Sequence, residues 1–236
     1  MNALEMVKEV ERDLFEMGIR YQSKTVQDKN VADDPEFETL ELYGYAYKLK
    51  NPSRQGFLDA IVYQRGQDNN YLEWMLAEGK ERTNPPREMS LNPGEAWRIR
   101  EDFWGRFIRD GLFSYTYASR FKNQIPCVVN ELKLRPNTRQ AMITMYDRHE
   151  DMLNWGGHDR VPCSVSYQFI ARDDRLHVIY NQRSCDFVNF FIADIYFTNI
   201  LLEYIAFETG YDMGDITHFL GSLHAFRGDL KGKEIF

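Results

Sequence analysis

Apolar residues recur every three to four positions at the start of the chain, at Leu4, Val7, Val10, Leu14 and Met17. That spacing predicts a helix, and Gly18 can end it. Tyr21 to Phe37 is polar, carries an Asp33-Asp34-Pro35 turn and reads as a loop. From Glu38 to Lys50, Leu40, Leu42, Tyr45 and Tyr47 fall in near alternation, the pattern of a strand. A helix is expected within Gly56 to Gly79, around Tyr71-Leu72-Glu73-Trp74, and the Pro- and Asn-rich stretch from Thr83 to Pro93 reads as a surface loop. Ala96 to Gly111 is expected to be helical, followed by a loop through Tyr115 and Tyr117. Asn123 to Lys133 reads as another helix and Gln140 to Tyr146 as a short strand.

A strand alternation follows in which Cys163, Val165, Tyr167 and Phe169 interleave with Ser164, Ser166, Gln168 and Ile170. The Asp173-Asp174 pair makes a tight turn, and Leu176, Val178 and Tyr180 run back along a second strand. Phe187 to Phe207 is long and apolar, but Asn189, Asp194, Asn199 and Glu203 would each be costly in lipid, so a buried helix is expected. A last strand lies near His218 to Phe226. Helices and strands mingle without regular βαβ alternation, which indicates the α+β class and a single domain over residues 1–236.

Composition narrows the functional classes. The 43% hydrophobic and 28% charged content is that of a globular chain with a substantial core. A net charge of −7 argues against a general nucleic-acid binder, which needs a basic stripe. Three cysteines without framework spacing imply reduced thiols, and the N-terminus lacks a signal-peptide pattern, so a soluble cytoplasmic protein is expected. His149, His158, His177, His218 and His224 show no paired spacing with cysteines or carboxylates, which argues against a zinc site, and there is no Gly-rich phosphate loop.

The hairpin supplies the candidate chemistry. It places Cys163 and Arg183, twenty residues apart in sequence, at one end of a sheet. A cation beside a thiol favours the thiolate, the nucleophilic form, although a cysteine at a strand start is ordinarily packing. Lys29, Arg139, Gln140 and Arg183 are basic or amide groups at loops and strand ends, where phosphates bind, and solvated surface charge is the plainer reading of each. Asp194, inside the most apolar helix, must be paired, neutral or functional.

Taken together these residues resemble a family. Pro162-Cys163, Gln168-Phe169 and Gln182-Arg183-Ser184-Cys185-Asp186 are similar to the thymidylate synthase pattern around its nucleophile. Pro136-Asn137-Thr138-Arg139-Gln140 resembles its Pro-x-Ser-Arg-Arg segment, and Gly214-Asp215 with Gly221-Ser222-Leu223-His224-Ala225-Phe226 resembles its Gly-Asp…His-x-Tyr segment. The similarity is dense from about Ser114 to Phe226.

The resemblance implies a thymidylate synthase-like fold, a large bent mixed sheet flanked by helices, dimerising through the sheet as an obligate homodimer with shared active sites. It implies binding of a pyrimidine nucleotide monophosphate and 5,10-methylenetetrahydrofolate. Cys163 would attack pyrimidine C6, and Arg183 would bind phosphate and lower the thiol pKa, with Ser184 beside it. Arg139 from the other subunit, Gln140 and Lys29 would complete the phosphate site. His224 would hydrogen-bond the sugar, Asp186 would contact the pterin, and Tyr117 and Trp104 would line the pocket.

Departures from the family pattern bear on the substrate. The asparagine that reads the pyrimidine edge is Asp194 here, a change shared by resemblance with the deoxycytidylate hydroxymethylases of T-even phages, as is the Gly221-Ser222-Leu223-His224 run. A phage gene expressed in a host cytoplasm would fit that likeness. A neutral carboxylic acid can donate to cytosine N3 and accept from its amino group. Hydroxymethylation of dCMP at C5 is therefore the expected reaction. Phe226 in place of the family's tyrosine removes a sugar contact and leaves CMP open. Aligning Trp74 with the family's tryptophan puts Tyr71 at the catalytic glutamate position, with Glu73 as the acid that would take over. That departure leaves a non-catalytic nucleotide binder open, and a dUMP or dCMP methylase is the remaining alternative.

Overall fold

The first helix begins where its own side chains can satisfy it. Asn2 accepts from the Glu5 backbone N–H at 2.9 Å and Glu5 reaches back to the Asn2 N–H, a reciprocal cap. Helix α1 (Ala3–Met17) buries Met6, Val7, Val10 and Leu14, the predicted stripe, and ends at Gly18. This structure, a computed structural model, describes residues 1–26, 29–83, 94–154 and 160–230. The predicted loop from Thr83 to Pro93 therefore lies outside the described residues except for Thr83, which closes α3.

Four expectations change. Tyr21 to Phe37 is not simply loop. It holds the end of β1 (Ile19–Gln22), the short pair β2 (Thr25–Val26) and β3 (Lys29–Asn30), and a 3-10 turn at Pro35–Phe37. These strands are set by backbone pairing and by Gln22, whose amide donates to the carbonyls of Val31 and Asp34, so their side chains stay exposed and show no apolar period. Strand β4 (Glu38–Leu49) follows as predicted. The single helix expected within 56–79 is two, α2 (Arg54–Arg65) and α3 (Asn69–Thr83), because the chain turns at Gly66 with φ +65°, a conformation glycine adopts without strain. Ala96 to Gly111 is broken into α4 (Glu95–Ile99), α5 (Glu101–Trp104) and a 3-10 turn, interrupted at Arg100 and turned at Asp110-Gly111. Helix α6 (Tyr117–Phe121) starts inside the predicted loop, capped reciprocally by Thr116 and Ser119.

Beyond that point the predicted elements hold. Helix α7 (Gln124–Leu134) and β5 (Met142–Thr144) lead to the hairpin of β6 (Ser164–Arg172) and β7 (Arg175–Asp186). Asp173 and Asp174 both have positive φ, which matches the twist of a two-residue hairpin turn. Helix α8 (Phe191–Thr209) is buried on most sides, as an evenly apolar helix must be, and no helix among the described residues is long and apolar enough to cross a membrane. Strand β8 (Asp212–Phe226) is longer than predicted, because its first half alternates with polar residues on the sheet's other face.

The six strands of the mixed sheet run in the order β1-β4-β8-β7-β6-β5. Only β7 and β8 among the registered neighbours are parallel, joined by α8 as the crossover. Register places Tyr167 opposite Tyr180, Tyr180 opposite His218, and His218 opposite Tyr47. The first three rings stack at 4.5 and 4.4 Å, and the Tyr47 hydroxyl meets His218 Nδ1 at 2.9 Å. This buried row lies beneath Phe191 of α8. The opposite face carries Ile170, Ile179, Asn181 and Phe219, and Phe219 is 46% exposed.

Burial holds His218 neutral down to about pH 3, whereas the unfolded chain takes that proton near pH 6.5. The stability contributed by neutral His218 is therefore complete above pH 6.5 and is lost on acidification, at up to ~1.4 kcal/mol per pH unit. His218→Phe should lose about 2 kcal/mol less than the parent between pH 7 and 4.5. Denaturant unfolding at the two pH values measures the difference, and equal losses would contradict it.

Candidate functional site

Cys163 immediately precedes β6, and the Arg183 backbone N–H donates to its carbonyl at 2.8 Å, extending the hairpin ladder to the cysteine. The Arg183 side chain donates to the carbonyls of Pro162 at 2.9 Å and Val161 at 3.0 Å, which brings its Nη2 to 3.8 Å from the Cys163 sulfur. Gly221 makes this possible on the neighbouring strand, since a Cβ there would lie 2.7 Å from the Arg183 carbonyl oxygen. The thiol is free and partly exposed. Its pKa nevertheless moves up, not down. Burial raises it more than Arg183 lowers it, Asp194 adds to the rise, and Arg160 opposes it. The expected pull of Arg183 is present but does not win.

Asp194 lies in the first turn of α8, and its Oδ2 accepts from Gln182 Nε2 at 2.6 Å, with Cys185 Sγ 3.9 Å away. Burial raises its pKa to about 6, against the lowering influence of Arg82 and the Gln182 hydrogen bond. The carboxyl thus exchanges its proton near neutrality, within the same cluster as the thiol.

Aromatic rings form the surrounding wall. The Tyr117 hydroxyl accepts from the backbone N–H of Ser164 at 3.3 Å, one residue past the cysteine. Arg160, three residues before it, lies 4.4 Å over Trp104, which packs against Phe190 at 5.9 Å. Asp186 accepts from the N–H groups of Val188 and Asn189 and from the Asn189 amide, all at 2.9–3.0 Å, so it shapes the turn into α8. His224 is registered beside Asp186, and its pKa is lowered by burial against the pull of Asp186 and Glu41. A chain of ring contacts runs from His224 to Phe226 to Phe37, with Lys29 4.7 Å over the last ring. Ser184 is half-buried opposite Ser222.

Three groups of predicted residues are not brought together with Cys163. Lys29 lies over Phe37, whose partner Phe226 is five residues along β8 from Gly221, the neighbour of Arg183. Arg139 and Gln140 are exposed beside the edge strand β5, whose Met142 pairs with Gln168. Five residues of extended β6 chain, about 16 Å, separate that point from the cysteine. Glu73 is likewise apart from Cys163. It is exposed on the outside of α3, because residues two apart on a helix point about 200° apart and Tyr71 and Trp74 face inward. Tyr71 instead is buried, its hydroxyl donating to the Asn189 carbonyl at 3.2 Å. Burial raises its pKa out of reach of neutral-pH chemistry.

Sequence reasoning missed Gln182, Arg160 and the Glu78–Arg82 pair as site residues. Gln182 was legible in principle, as a polar side chain at an inward position of a buried strand. Glu78 and Arg82 have the spacing of an ordinary surface helix pair and carry no sequence signal of burial.

The fold is that of solved thymidylate synthases. The thermostable thymidylate synthase A from Bacillus subtilis superposes with a TM-score of 0.65 at 16% identity, covering 96% of this chain and 80% of that one. The T4 phage thymidylate synthase gives 0.65 at 20%, covering 95% and 77%. In sequence, a provisionally named thymidylate synthase of Methanosarcina mazei is 33% identical over 132 residues, 53% of this chain and 58% of that protein. The Fusobacterium nucleatum thymidylate synthase is 21% identical over 184 residues, 78% and 65% of the two chains. The chain thus spans little more than half the length of the Methanosarcina relative. The Thymidylate synthase family profile matches residues 74–234, and the chain belongs to that family.

The opposing influences on the thiol predict opposite shifts. In a Cys127→Ser background, which removes the exposed competitor, iodoacetamide labelling of Cys163 at pH 8 should slow roughly 3- to 10-fold on Arg183→Gln and quicken on Asp194→Asn. Mass-spectrometric rates across pH 6–10 measure both, and shifts in the same direction would contradict the electrostatic account.

Proposed function

We propose that the protein is a folate-dependent one-carbon transferase that hydroxymethylates C5 of a cytidine nucleotide monophosphate, with dCMP as the preferred substrate and CMP as the alternative. The observation that carries this reading is the carboxyl of Asp194, poised near neutrality beside the thiol. Gln182 fixes Oδ2 as an acceptor. Oδ2 has a second lone pair for the cytosine amino group, and Oδ1 would serve N3. One proton shared between Oδ1 and N3 satisfies both, whichever of them holds it. Uracil instead offers O4, which needs a donor, and above about pH 6 Asp194 loses the proton that would serve.

Cys163 is the nucleophile in this reading. Its sulfur bonds to C6, electron density moves to C5, and the sulfur leaves again when the C5–C6 double bond is restored. Arg183, already against the sulfur, stabilises the thiolate and has an exposed side for the nucleotide phosphate. Lys29 adds a cation at the far end of the His224–Phe226–Phe37 chain. Tyr117 holds the backbone of the residue after the nucleophile.

The surroundings suit 5,10-methylenetetrahydrofolate. Trp104 and Phe190, tilted 43° to each other, give an apolar wall with the buried Trp74 edge-on to Phe190, and Arg100 lies 4.5 Å over Trp74, a cation where an anionic tail would need one. When bound, that cofactor would supply the one-carbon unit; C5 would give up its proton, tetrahydrofolate would depart, and the hydroxyl of a water molecule would take its place to give the hydroxymethyl product. The uncovered sheet face supports a homodimer. A cleft of about 290 Å³ there touches Arg183, Asn181, Phe219 and Gly221, and a second copy across it would bring an exposed Arg139 toward the phosphate.

Incubation with dCMP or CMP and methylenetetrahydrofolate should add the mass of a hydroxymethyl group, and Cys163→Ala should abolish the product. Conversion of dUMP to dTMP with no change in either cytidylate would overturn the role given to Asp194. Tight nucleotide binding without release of tritium from pyrimidine C5 would instead mark a non-catalytic homologue, the reading favoured by the inward Tyr71 and outward Glu73. Light scattering should give a dimer, and Phe219→Asp should yield monomers with at least tenfold lower activity, about 1.4 kcal/mol or more in barrier. A fully active monomer would exclude shared sites.

A further inference from the structure

Arg82, in the last turn of α3, is 7% exposed. Its Nε donates to Glu78 Oε1 at 2.7 Å, and its guanidinium lies 4.0 Å from the Tyr117 ring and 4.1 Å from the Phe197 ring. Phe197 is one turn beyond Asp194 on α8, and Tyr117 touches the residue after Cys163. The cation is therefore wedged between the helix turn that presents Asp194 and the ring that backs the nucleophile. A buried guanidinium is expensive unless it is paired, and Glu78 supplies the pairing charge from the same helix.

We infer that the Glu78–Arg82 pair is a specificity-determining positioning device for Asp194: with Glu78 in place Arg82 is matched and Asp194 can meet the base carrying a proton, whereas an unmatched Arg82 would hold it as a carboxylate. This rests on the reading that Asp194 contacts the pyrimidine edge. Other groups also face Asp194. Strand β7 contributes Gln182, Cys185, Asp186 and Tyr180, while Cys163 and Tyr167 face it from β6 and its approach. Tyr117 of α6, Tyr47 of β4 and Tyr71 of α3 complete the surroundings. The tyrosines are neutral across the working range, because burial raises each pKa. Arg82 exerts the strongest pull toward the ionised form, and Glu78 the strongest charge-based push toward the neutral one, ahead of Asp186.

The test uses the full chain. The Asp194 carboxyl is titrated by carbon-13 NMR without nucleotide in the parent, Glu78→Gln, Arg82→Met and Arg82→Lys. Glu78→Gln should lower the midpoint and Arg82→Met raise it, each by on the order of 1 unit, with Arg82→Lys close to the parent. The pH profile of KM for dCMP should move with the midpoint, and kcat at saturating nucleotide should change less. Glu78, at 23% side-chain exposure, provides the arm that survives if Arg82→Met fails to fold. Midpoints that do not move, or that move in the same direction for Glu78→Gln and Arg82→Met, would overturn the inference. Midpoints that move as expected while dCMP binding ignores them would sustain the pair's action on Asp194 and sink the assignment of Asp194 to the base.

Discussion

The registered aromatic row across four strands is the constraint on which the rest depends. Tyr167, Tyr180, His218 and Tyr47 sit opposite one another only in one register of β6, β7, β8 and β4. A slip of one residue would turn every ring to the exposed face. The same register fixes the ends of these strands, where Cys163, Arg183 and His224 reside. The row is also tied to the site by hydrogen bonds, since Ser164 Oγ meets the Tyr180 hydroxyl at 2.6 Å and accepts from Tyr167 at 3.1 Å. A packing feature of the core thus sets the position of Cys163.

Desolvation is the opposing theme. Packing the thiol and Asp194 against rings raises both pKa values, and the nearby arginines recover only part of that change. The thiol therefore stays protonated at neutral pH, whereas Asp194 exchanges its proton near pH 6. In the proposed reading a nucleotide phosphate would meet the Arg183 cation, and cytosine N3 would share the Asp194 proton.

Membership of the thymidylate synthase family sets the frame, and the departures give this chain its character. The departures are an acid where the resemblance leads one to expect an amide and an inward tyrosine with an outward glutamate on α3, and the Glu78–Arg82 pair follows one to three turns along that helix. They lie on the two helices, α3 and α8, that pack against each other over the row. Their effects are therefore coupled through a shared interior rather than independent.

Much of the frame was legible in one dimension. The periodicities of α1, β4, α7, the hairpin and α8 survive because each buries a single continuous stripe or is buried on every side, so the pattern of side chains reports the environment directly. The Cys163–Arg183 pairing was legible for the same reason, a tight turn and two alternating strands leaving little freedom. Elements held by backbone pairing or by single side-chain bonds, such as β1 to β3 and the broken helices from Glu95 to Phe107, leave no such pattern. Nor does the burial of Arg82, the outward turn of Glu73, or the net rise of the Cys163 pKa. Those depend on what surrounds a group from distant parts of the chain, and electrostatic energies are sums over that surrounding. Residue types and local spacing determined which groups could do chemistry; tertiary packing decided which of them face one another, and with what charge.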